Sequence, residues 1–257
     1  MKRLLAVGAA LALAITGTAA AITNGAPDGT NHPNVGAFLV QRPSGWRVLC
    51  TGTLVAPRVF LTASHCTSFA DANGLTVGVT FQSTDAEHPA TVLTGHTVTN
   101  PLYVHGVTHD VSIILLDKAV TGIPFATLPQ VGLLDQMKKS GAIDTTYTNV
   151  GYGTHEKVKN AGGPADFPFD GDRWYSFSSY SALNQDDIHL HQKNNADEGG
   201  TCYGDSGGPT LATAPDGKEY VFAVVSTGDV PCWSTSVNNR TDTQEVHDFL
   251  APYLALS

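Results

Sequence analysis

Basic side chains are scarce in this chain, which has 14 Lys and Arg residues against 23 Asp and Glu and a formal net charge of −9 at pH 7. They form no stripe or cluster along the sequence. Nucleic acid and anionic membrane surfaces need such a cluster, so both are excluded as expected partners. We interpret the acidic surplus as a contribution to solubility rather than as a site for basic ligands.

Long apolar runs are absent except near the N-terminus, where two basic residues precede an apolar stretch at residues 4–15. Small residues follow at 17–21 in an A-x-A arrangement, which is typical of a signal peptide that is cleaved before Ile22. A retained membrane anchor is the alternative, because the uncharged stretch is nearly long enough to span a bilayer. We expect residues 1–21 to be removed and the mature protein to be secreted, without membrane contact afterwards.

Cysteine is also rare, with four residues in the chain. In an exported protein this even number predicts two disulfides and no free thiol, and the sequence alone allows three pairings. No C-x-x-C or H-x₃-H spacing occurs, and no loop has regularly spaced oxygen ligands for calcium. We therefore predict no metal and no cofactor, and interpret His189 and His191 as an exposed pair.

Short runs rich in Val, Ile, Leu, Phe and Thr recur between Gly, Pro, Asn and Asp residues. Frequent short strands with turn signals favour an antiparallel barrel or sandwich over an α/β fold. One helix is predicted near the C-terminus, capped by Asp242 and apolar at helical spacing from Val246 to Leu254. Residues 157–192 are interpreted as long surface loops. The predicted strands are 35–42, 47–55, 59–62, 75–81, 91–98, 111–116, 145–151 and 220–225.

Three short motifs carry a histidine, an aspartate and a serine that suit acyl transfer. They are LTASHC at residues 61–66, HDVSIILL at 109–116 and GDSGGP at 204–209. The hydroxyl of Ser206 needs a base to take its proton, and His65 is the candidate because of its apolar lead-in and the adjacent Cys66. Asp110 would orient the imidazole ring and stabilise it when it is protonated.

In this order, the three motifs resemble those of the trypsin/chymotrypsin-like serine endopeptidases. The resemblance disfavours His109 as a rival base, because the family's His-Cys motif belongs to His65. It implies an all-β fold of two antiparallel six-stranded β-barrels, with the active site in the cleft between them and a C-terminal α-helix. Residues 22–124 would form the barrel with His65 and Asp110, and residues 125–257 the barrel with Ser206. The implied disulfides are Cys50 with Cys66 and Cys202 with Cys232.

The resemblance also implies a secreted endopeptidase that hydrolyses peptide bonds through an acyl-enzyme on Ser206. The N–H groups of Gly204 and Ser206 would form the oxyanion hole, since Gly204 lets the backbone turn. Asp205 would pair with the amino group of Ile22, which opens a sequence that matches the family's mature start except for Thr23 in place of valine. Because small residues directly precede Ile22, we expect signal peptidase itself to expose this amine.

The primary pocket of the family has its base six residues before the nucleophile, which is Gly200 here, followed by Thr201. An uncharged base cannot compensate a buried cation, so we expect apolar side chains to be preferred over Lys and Arg. Asp229 leaves some cleavage at basic residues open, and Ser236 would narrow the pocket. The expected partners are polypeptide substrates and protein protease inhibitors, and the expected state is a monomer. The predicted substrate-binding residues are Gly200, Thr201, Tyr203, Ser226, Thr227 and Gly228.

Two other functions compete with this prediction. The motif around Ser206 also satisfies G-x-S-x-G, the strand-to-helix elbow of α/β-hydrolases, with Asp229 and His247 following in the right order. The sequence Gly-Gly-Pro after the serine would break the required helix. A non-catalytic binding module on a protease fold is the second alternative, although all three catalytic side chains are present.

Overall fold

The computed structural model describes residues 22–106, 108–155, 166–193 and 198–255. Within these ranges the chain forms thirteen strands and three helices. The predicted signal peptide lies outside the described residues, as do residues 156–165 of the segment between the catalytic motifs.

Six strands of the first half close into an antiparallel barrel in the order β2-β3-β4-β7-β6-β5. Its interior contains large apolar side chains that are fully buried, including Phe38, Leu54, Phe60 and Ile113. Burial of this surface is the main force that stabilises the barrel. The strands are β2 (Val35–Arg42), β3 (Gly45–Ala56), β4 (Val59–Thr62), β5 (Val77–Thr80), β6 (Leu93–Val98) and β7 (Ser112–Leu116).

Six further strands close a second antiparallel barrel in the order β8-β9-β10-β13-β12-β11, with β11 pairing back to β8 and β8 to β9. The short strand β1 (Ala26–Pro27) adds to β9, so the start of the described chain lies on the second barrel. The strands are β8 (Thr146–Gly151), β9 (Trp174–Leu183), β10 (Asp187–His191), β11 (Pro209–Thr213), β12 (Glu219–Gly228) and β13 (Thr235–Arg240). The all-β, two-barrel prediction is confirmed; the division of the chain near residue 124 stays a prediction.

All eight predicted strands are present, two of them with the predicted bounds, but the interpretation of 157–192 as loops is wrong for its described part. That part contains β9 and β10. The serines that made β9 look polar point inward: Ser176 and Ser178 are buried and donate to the carbonyl oxygens of Gly200 and Gly199. These tertiary hydrogen bonds satisfy hydroxyl groups that would otherwise favour a loop.

The three helices of the described chain are α1 (Ser64–Ala72), α2 (Leu133–Ser140) and α3 (Gln244–Leu254). None of them is long and apolar enough to cross a bilayer. The helix α3 confirms the C-terminal prediction, but its cap is Thr243, whose side chain accepts from the N–H of Val246. Asp242, the predicted cap, instead accepts from the N–H of Leu134 at the start of α2 and pairs with Arg240.

Two disulfides are present with the implied pairing, Cys50 with Cys66 and Cys202 with Cys232. The first ties β3 to α1, and the second ties the segment before Ser206 to the loop after β12. The two bridges join cysteines that are 16 and 30 residues apart in the sequence. Each crosslink of such a length contributes about 3 kcal/mol by restricting the unfolded chain.

The buried guanidinium of Arg173 pairs with a buried carboxylate and also bonds to a strand of the first barrel. Arg173, just before β9, donates to Asp28 at 2.7 Å and to the carbonyl oxygen of Val35 in β2 at 2.9 Å. Both charged side chains are almost fully buried. Burial favours a raised pKa for Asp28, but hydrogen bonds from His32 and Arg173 outweigh it and lower the pKa.

Replacing Arg173 with methionine should lower the free energy of unfolding by about 3–5 kcal/mol, because the Asp28 carboxylate would remain buried without its cation. Urea unfolding followed by tryptophan fluorescence measures this change. The matched control is Arg47→Met, since the pair of Arg47 with Glu87 is partly exposed at the surface and should contribute less than about 1 kcal/mol. Equal losses in the two variants would contradict the cross-barrel role of Arg173.

Candidate active site

The first part of the site is a histidine held by an aspartate within the first barrel. His65 lies in the first turn of α1, and Asp110 comes just before β7, which pairs with the strand that leads into α1. The two oxygens of Asp110 accept from the backbone N–H of His65 and from its Nδ1, both at 2.8 Å. Because a carboxylate only accepts, Nδ1 carries the proton and a neutral ring keeps Nε2 as a free acceptor.

A third hydrogen bond links this pair to the second barrel. Ser226, in β12, donates from its hydroxyl to Asp110 at 2.5 Å. The Asp110 side chain is only 10% exposed, whereas that of His65 is 29% exposed. The aspartate is therefore shielded and fully engaged, while the imidazole ring stays accessible from the cleft.

The loop that carries Ser206 docks onto the strands of the first barrel. The carbonyl oxygen of Ser206 accepts from the N–H of Thr51 at 2.8 Å. Gly207 has φ +85°, and a Cβ there would lie 2.2 Å from Oγ1 of Thr62 and 2.9 Å from the nitrogen of Ala63. Only glycine fits so close to the residues that lead into His65.

Ser206 and His65 are thus brought to the same interface, but the Ser206 hydroxyl makes no hydrogen bond with the ring in the described part of the chain. Such hydrogen bonds are commonly long in the absence of substrate and tighten when it binds. Both residues are half-buried.

Two backbone donors in the serine loop are unpaired. Among the described residues, neither the N–H of Gly204 nor that of Ser206 has an acceptor. Gly204 has φ +98°, a conformation that glycine adopts without strain. The loop therefore offers two N–H groups that are free to bind an oxyanion, in contrast to the paired N–H groups of their neighbours Asp205, Gly207 and Gly208.

Asp205 is a buried carboxylate without a cation. It is fully buried and accepts from the N–H groups of Gly153 and Cys202, both at 2.8 Å. Burial raises its pKa to about 7, although these hydrogen bonds act in the opposite direction. A Cβ at Gly151 or Gly153 would lie 2.1 or 2.6 Å from the Asp205 side chain, so both glycines make room for it.

The predicted partner of Asp205, Ile22, is also fully buried and packs against Trp174. The next residue, Thr23, exchanges two backbone hydrogen bonds of 3.0 Å with Gly200. In the full-length chain the nitrogen of Ile22 belongs to a peptide bond, and Asp205 has no ion-pair partner among the described residues. Residues 22 and 23 are nevertheless fixed on the second barrel by these contacts.

The predicted substrate-binding residues surround the disulfide of Cys202 and Cys232. Thr227 and Gly228 are exposed at the end of β12 and pair only with β13, so their other edge has no partner strand in the described chain. Tyr203 is exposed, and its hydroxyl donates to the carbonyl oxygen of Val230. Gly200 and Thr201 are buried.

A cavity of about 300 Å³ adjoins His65, Asp110, Ser226 and Thr227. Its outer wall contains Tyr103, His105 and Thr108, which the sequence analysis did not select. Burial, and then the charge of Asp110, raises the pKa of Tyr103. No sequence motif marks this wall, because its residues lie in an irregular segment that only the fold places opposite β12.

The competing residues are engaged elsewhere. His109 places Nδ1 3.1 Å from Glu245 of α3, and Nε2 of His247 is 2.9 Å from the carbonyl oxygen of Pro129. Asp229 accepts three N–H groups of residues 233–235, which outweigh burial and lower its pKa. The α/β-hydrolase alternative is wrong, because the serine motif leads into the strand β11 rather than a helix.

One group of potential metal ligands occurs in the described chain, formed by Cys50, His65 and Cys66. Its two sulfur atoms are joined in a disulfide, so neither is a thiolate. This group has a structural explanation that does not involve a metal.

Comparison with known proteins agrees with the architecture. The family model described as Trypsin matches residues 23–250. The chain is similar to Lectizyme of Glossina austeni, with 28% identity over 224 residues, 78% of this chain and 75% of that protein. The matched region contains both barrels and the residues of all three motifs. The chain belongs to the trypsin family of serine endopeptidases, which hydrolyse peptide bonds.

Proposed function

We propose that the protein is a secreted endopeptidase in which Ser206 is the nucleophile, His65 the general base and Asp110 the residue that orients the base. The observation that carries this assignment is the Asp110 carboxylate, which fixes Nδ1 of His65 and leaves Nε2 to accept, while the serine loop docks against Thr62 and Ala63 just before that histidine. The disulfides support secretion, because such bonds persist in oxidising surroundings. Polypeptides are the substrates, protein inhibitors are further expected partners, and the protein acts as a monomer.

The proposed reaction begins when the hydroxyl oxygen of Ser206 adds to the substrate carbonyl carbon and its proton passes to Nε2 of His65. The carbonyl oxygen becomes negative and accepts from the N–H groups of Gly204 and Ser206. When the C–N bond breaks, His65 gives its proton to the leaving amine and an ester remains on Ser206. Water then attacks this ester with the help of His65, releasing the acid and restoring the serine.

Asp110 contributes by stabilising the imidazolium that forms in both steps, and it does not take up the proton itself. Its hydrogen bond from Ser226 fixes Oδ2, the same carboxylate oxygen that accepts from Nδ1 of His65, so the ring is held by contacts in both barrels. An extended substrate would pair with the open edge of β12 at Thr227 and Gly228. This edge leads past Ser226 toward His65.

The pocket base at Gly200 and Thr201 carries no charge, so a buried Lys or Arg side chain would lack a counterion there. Asp229 is held within its own loop by three N–H groups and is not needed to explain the pocket. We propose that cleavage after basic residues is disfavoured. From Gly200 alone, we expect the primary pocket to prefer apolar substrate side chains.

Replacing Ser206 with alanine should lower kcat for a peptide amide by a factor on the order of 10⁴ or more, because the nucleophile is lost. A fluorophosphonate probe should label the parent protein at Ser206, as located by peptide mass spectrometry. The matched control is Ser181→Ala, on the exposed part of β9, which should keep full activity and labelling. Unchanged hydrolysis in Ser206→Ala would contradict the assignment of Ser206 as the nucleophile. A parent protein that is neither labelled nor active would favour the binding-module alternative.

The mature N-terminus is proposed to be Ile22, exposed directly by signal peptidase. Intact-mass measurement and N-terminal sequencing of the protein secreted into the medium should both place the first residue there. A mature chain that starts at any other residue would show that a separate processing step exists or that Ile22 is not the partner of Asp205.

The pH dependence of stability should distinguish the uncut from the cut chain. In the uncut chain the folded-state pKa of Asp205, about 7, lies above the ordinary 3.8, so the free energy of unfolding should fall as pH rises between these values. In a chain that begins at Ile22, the ammonium group would lower this pKa and remove the loss. Urea unfolding of both forms, each with Ser206→Ala to prevent self-cleavage, measures the difference.

The difference in the free energy of unfolding between the uncut and cut chains should grow with pH. It should disappear when Asp205 is replaced with asparagine, the matched variant without a charge. Parallel pH dependence of the uncut and cut chains would contradict the proposed pairing of Ile22 with Asp205.

A further inference from the structure

The side chain of Gln192 fills the space beside the Cα atom of Gly200. A Cβ at Gly200 would lie 1.7 Å from Oε1 of Gln192 and 2.3 Å from its Cβ. Gln192 follows β10 and is fully buried, with its N–H bonded to the carbonyl oxygen of Ser234 at 3.1 Å. The carboxamide of Gln192 therefore occupies the space into which a side chain at residue 200 would extend.

The orientation of this carboxamide follows from one hydrogen bond. The backbone N–H of Thr201 donates to Oε1 of Gln192 at 2.8 Å. A backbone N–H can only donate, so the oxygen of the amide must face it and the NH₂ group must point away. Nε2 of Gln192 is buried and has no partner in the described part of the chain. Unpaired buried donors of this kind are rare and call for an acceptor.

Three other buried polar side chains continue the same cluster. Oγ1 of Thr201 lies 2.9 Å from Oγ of Ser236, which donates to Oδ1 of Asn238 at 2.7 Å. Since the proton of Ser236 goes to Asn238, Thr201 donates its own to Ser236. Nδ2 of Asn238 is the second buried donor without a partner among the described residues. We call Gln192, Thr201, Ser236 and Asn238 the amide base.

The amide base lies between the serine loop and the substrate edge of β12. Thr201 directly precedes Cys202, whose disulfide holds it against the loop of Cys232. Ser236 is the register partner of Gly228, at the exposed end of β12. The base contains no charged side chain, and its unsatisfied groups are N–H donors.

We propose that the primary pocket binds a substrate side chain that ends in a carboxamide, glutamine or asparagine, and that Gln192 is the residue that determines this preference. This inference rests on the proposed protease function and replaces the apolar expectation, which considered Gly200 alone. A carboxamide oxygen accepts from the amide N–H groups of the base. An apolar side chain leaves these donors unpaired, and a carboxylate would be buried without a cation.

The test compares kcat/KM for peptides that differ only in the residue before the scissile bond: glutamine, asparagine, glutamate, methionine, leucine and lysine. The parent protein should cleave after glutamine or asparagine at least about tenfold faster than after methionine or leucine, since a site built to hydrogen-bond discriminates strongly. Glutamate should be a poor substrate at neutral pH, and its kcat/KM relative to that of glutamine should rise as pH falls and the carboxyl group is protonated.

Gln192→Leu should reduce cleavage after the carboxamide residues by about tenfold or more and leave cleavage after leucine equal or faster, because the free donor is lost. Gln192→Glu should shift the preference toward lysine by placing a carboxylate at the base. The matched control is Gln185→Leu in the exposed turn between β9 and β10, which should keep the parent profile. Fluorophosphonate labelling of each variant reports whether its active site is intact.

Cleavage after leucine or methionine as fast as after glutamine and asparagine would overturn the inference, whatever the variants show. So would a Gln192→Leu variant that is labelled normally and keeps the parent profile. Either result leaves the protease function standing, because labelling of Ser206 is measured separately. Absence of both labelling and peptide hydrolysis would instead contradict the proposed function. If Gln192→Leu fails to fold, the profile of the parent protein still decides.

Discussion

The Asp110 carboxylate is the contact on which the site depends, because it joins groups from both barrels. Its oxygens hold the backbone and ring of His65 from the first barrel and the hydroxyl of Ser226 from the second. A shielded carboxylate is stable only when its lone pairs are satisfied, so all three donors must be in place together. The imidazole ring of His65 is therefore correctly oriented only when the two barrels are correctly packed together.

The same interface is held by other buried polar groups. Arg173 and Asp28 connect β2 with the start of β9, and the serine loop hydrogen-bonds Thr51 of β3. Glycines allow these contacts at places where a Cβ would collide, as at Gly207 against Thr62. The serine loop is thus positioned by strands on both sides, which suits the proposed reaction because its donors must be fixed before charge develops.

Several unsatisfied polar groups of the described chain lie near the serine loop. The free N–H groups of Gly204 and Ser206, the uncompensated carboxylate of Asp205 and the free amide of Gln192 all lie along residues 192–206 or against them. Elsewhere in the described chain most buried side-chain polar groups are paired. Thr23, Thr53, Thr154 and His155 also carry a buried side-chain atom without a partner in the part of the chain that the structure describes. For the groups along residues 192–206 we propose partners that arrive later: a developing oxyanion, a new amino terminus and a substrate side chain.

Local sequence patterns predict the candidate catalytic motifs and most strands of the first barrel. The motifs around His65, Asp110 and Ser206 are contiguous, and strands such as Val35–Arg42 and Val59–Thr62 are marked by apolar β-branched and aromatic runs. These patterns fail at β9, where inward-facing serines hide a strand, and at α3, where Thr243 rather than Asp242 is the cap.

Three features follow from the tertiary fold and not from local sequence. They are the side chain that faces Gly200, the donors that satisfy Asp110 and the N–H groups that remain unpaired. Gln192 belongs to no motif. It lies close to Gly200 because the chain directly after β10 packs against the segment that contains Gly200. Such contacts depend on non-local closure of the sheet, which positions side chains from separate segments. Local propensity and spacing contain no information about that closure, so they predict the candidate catalytic residues but not the amide base that we propose for the pocket.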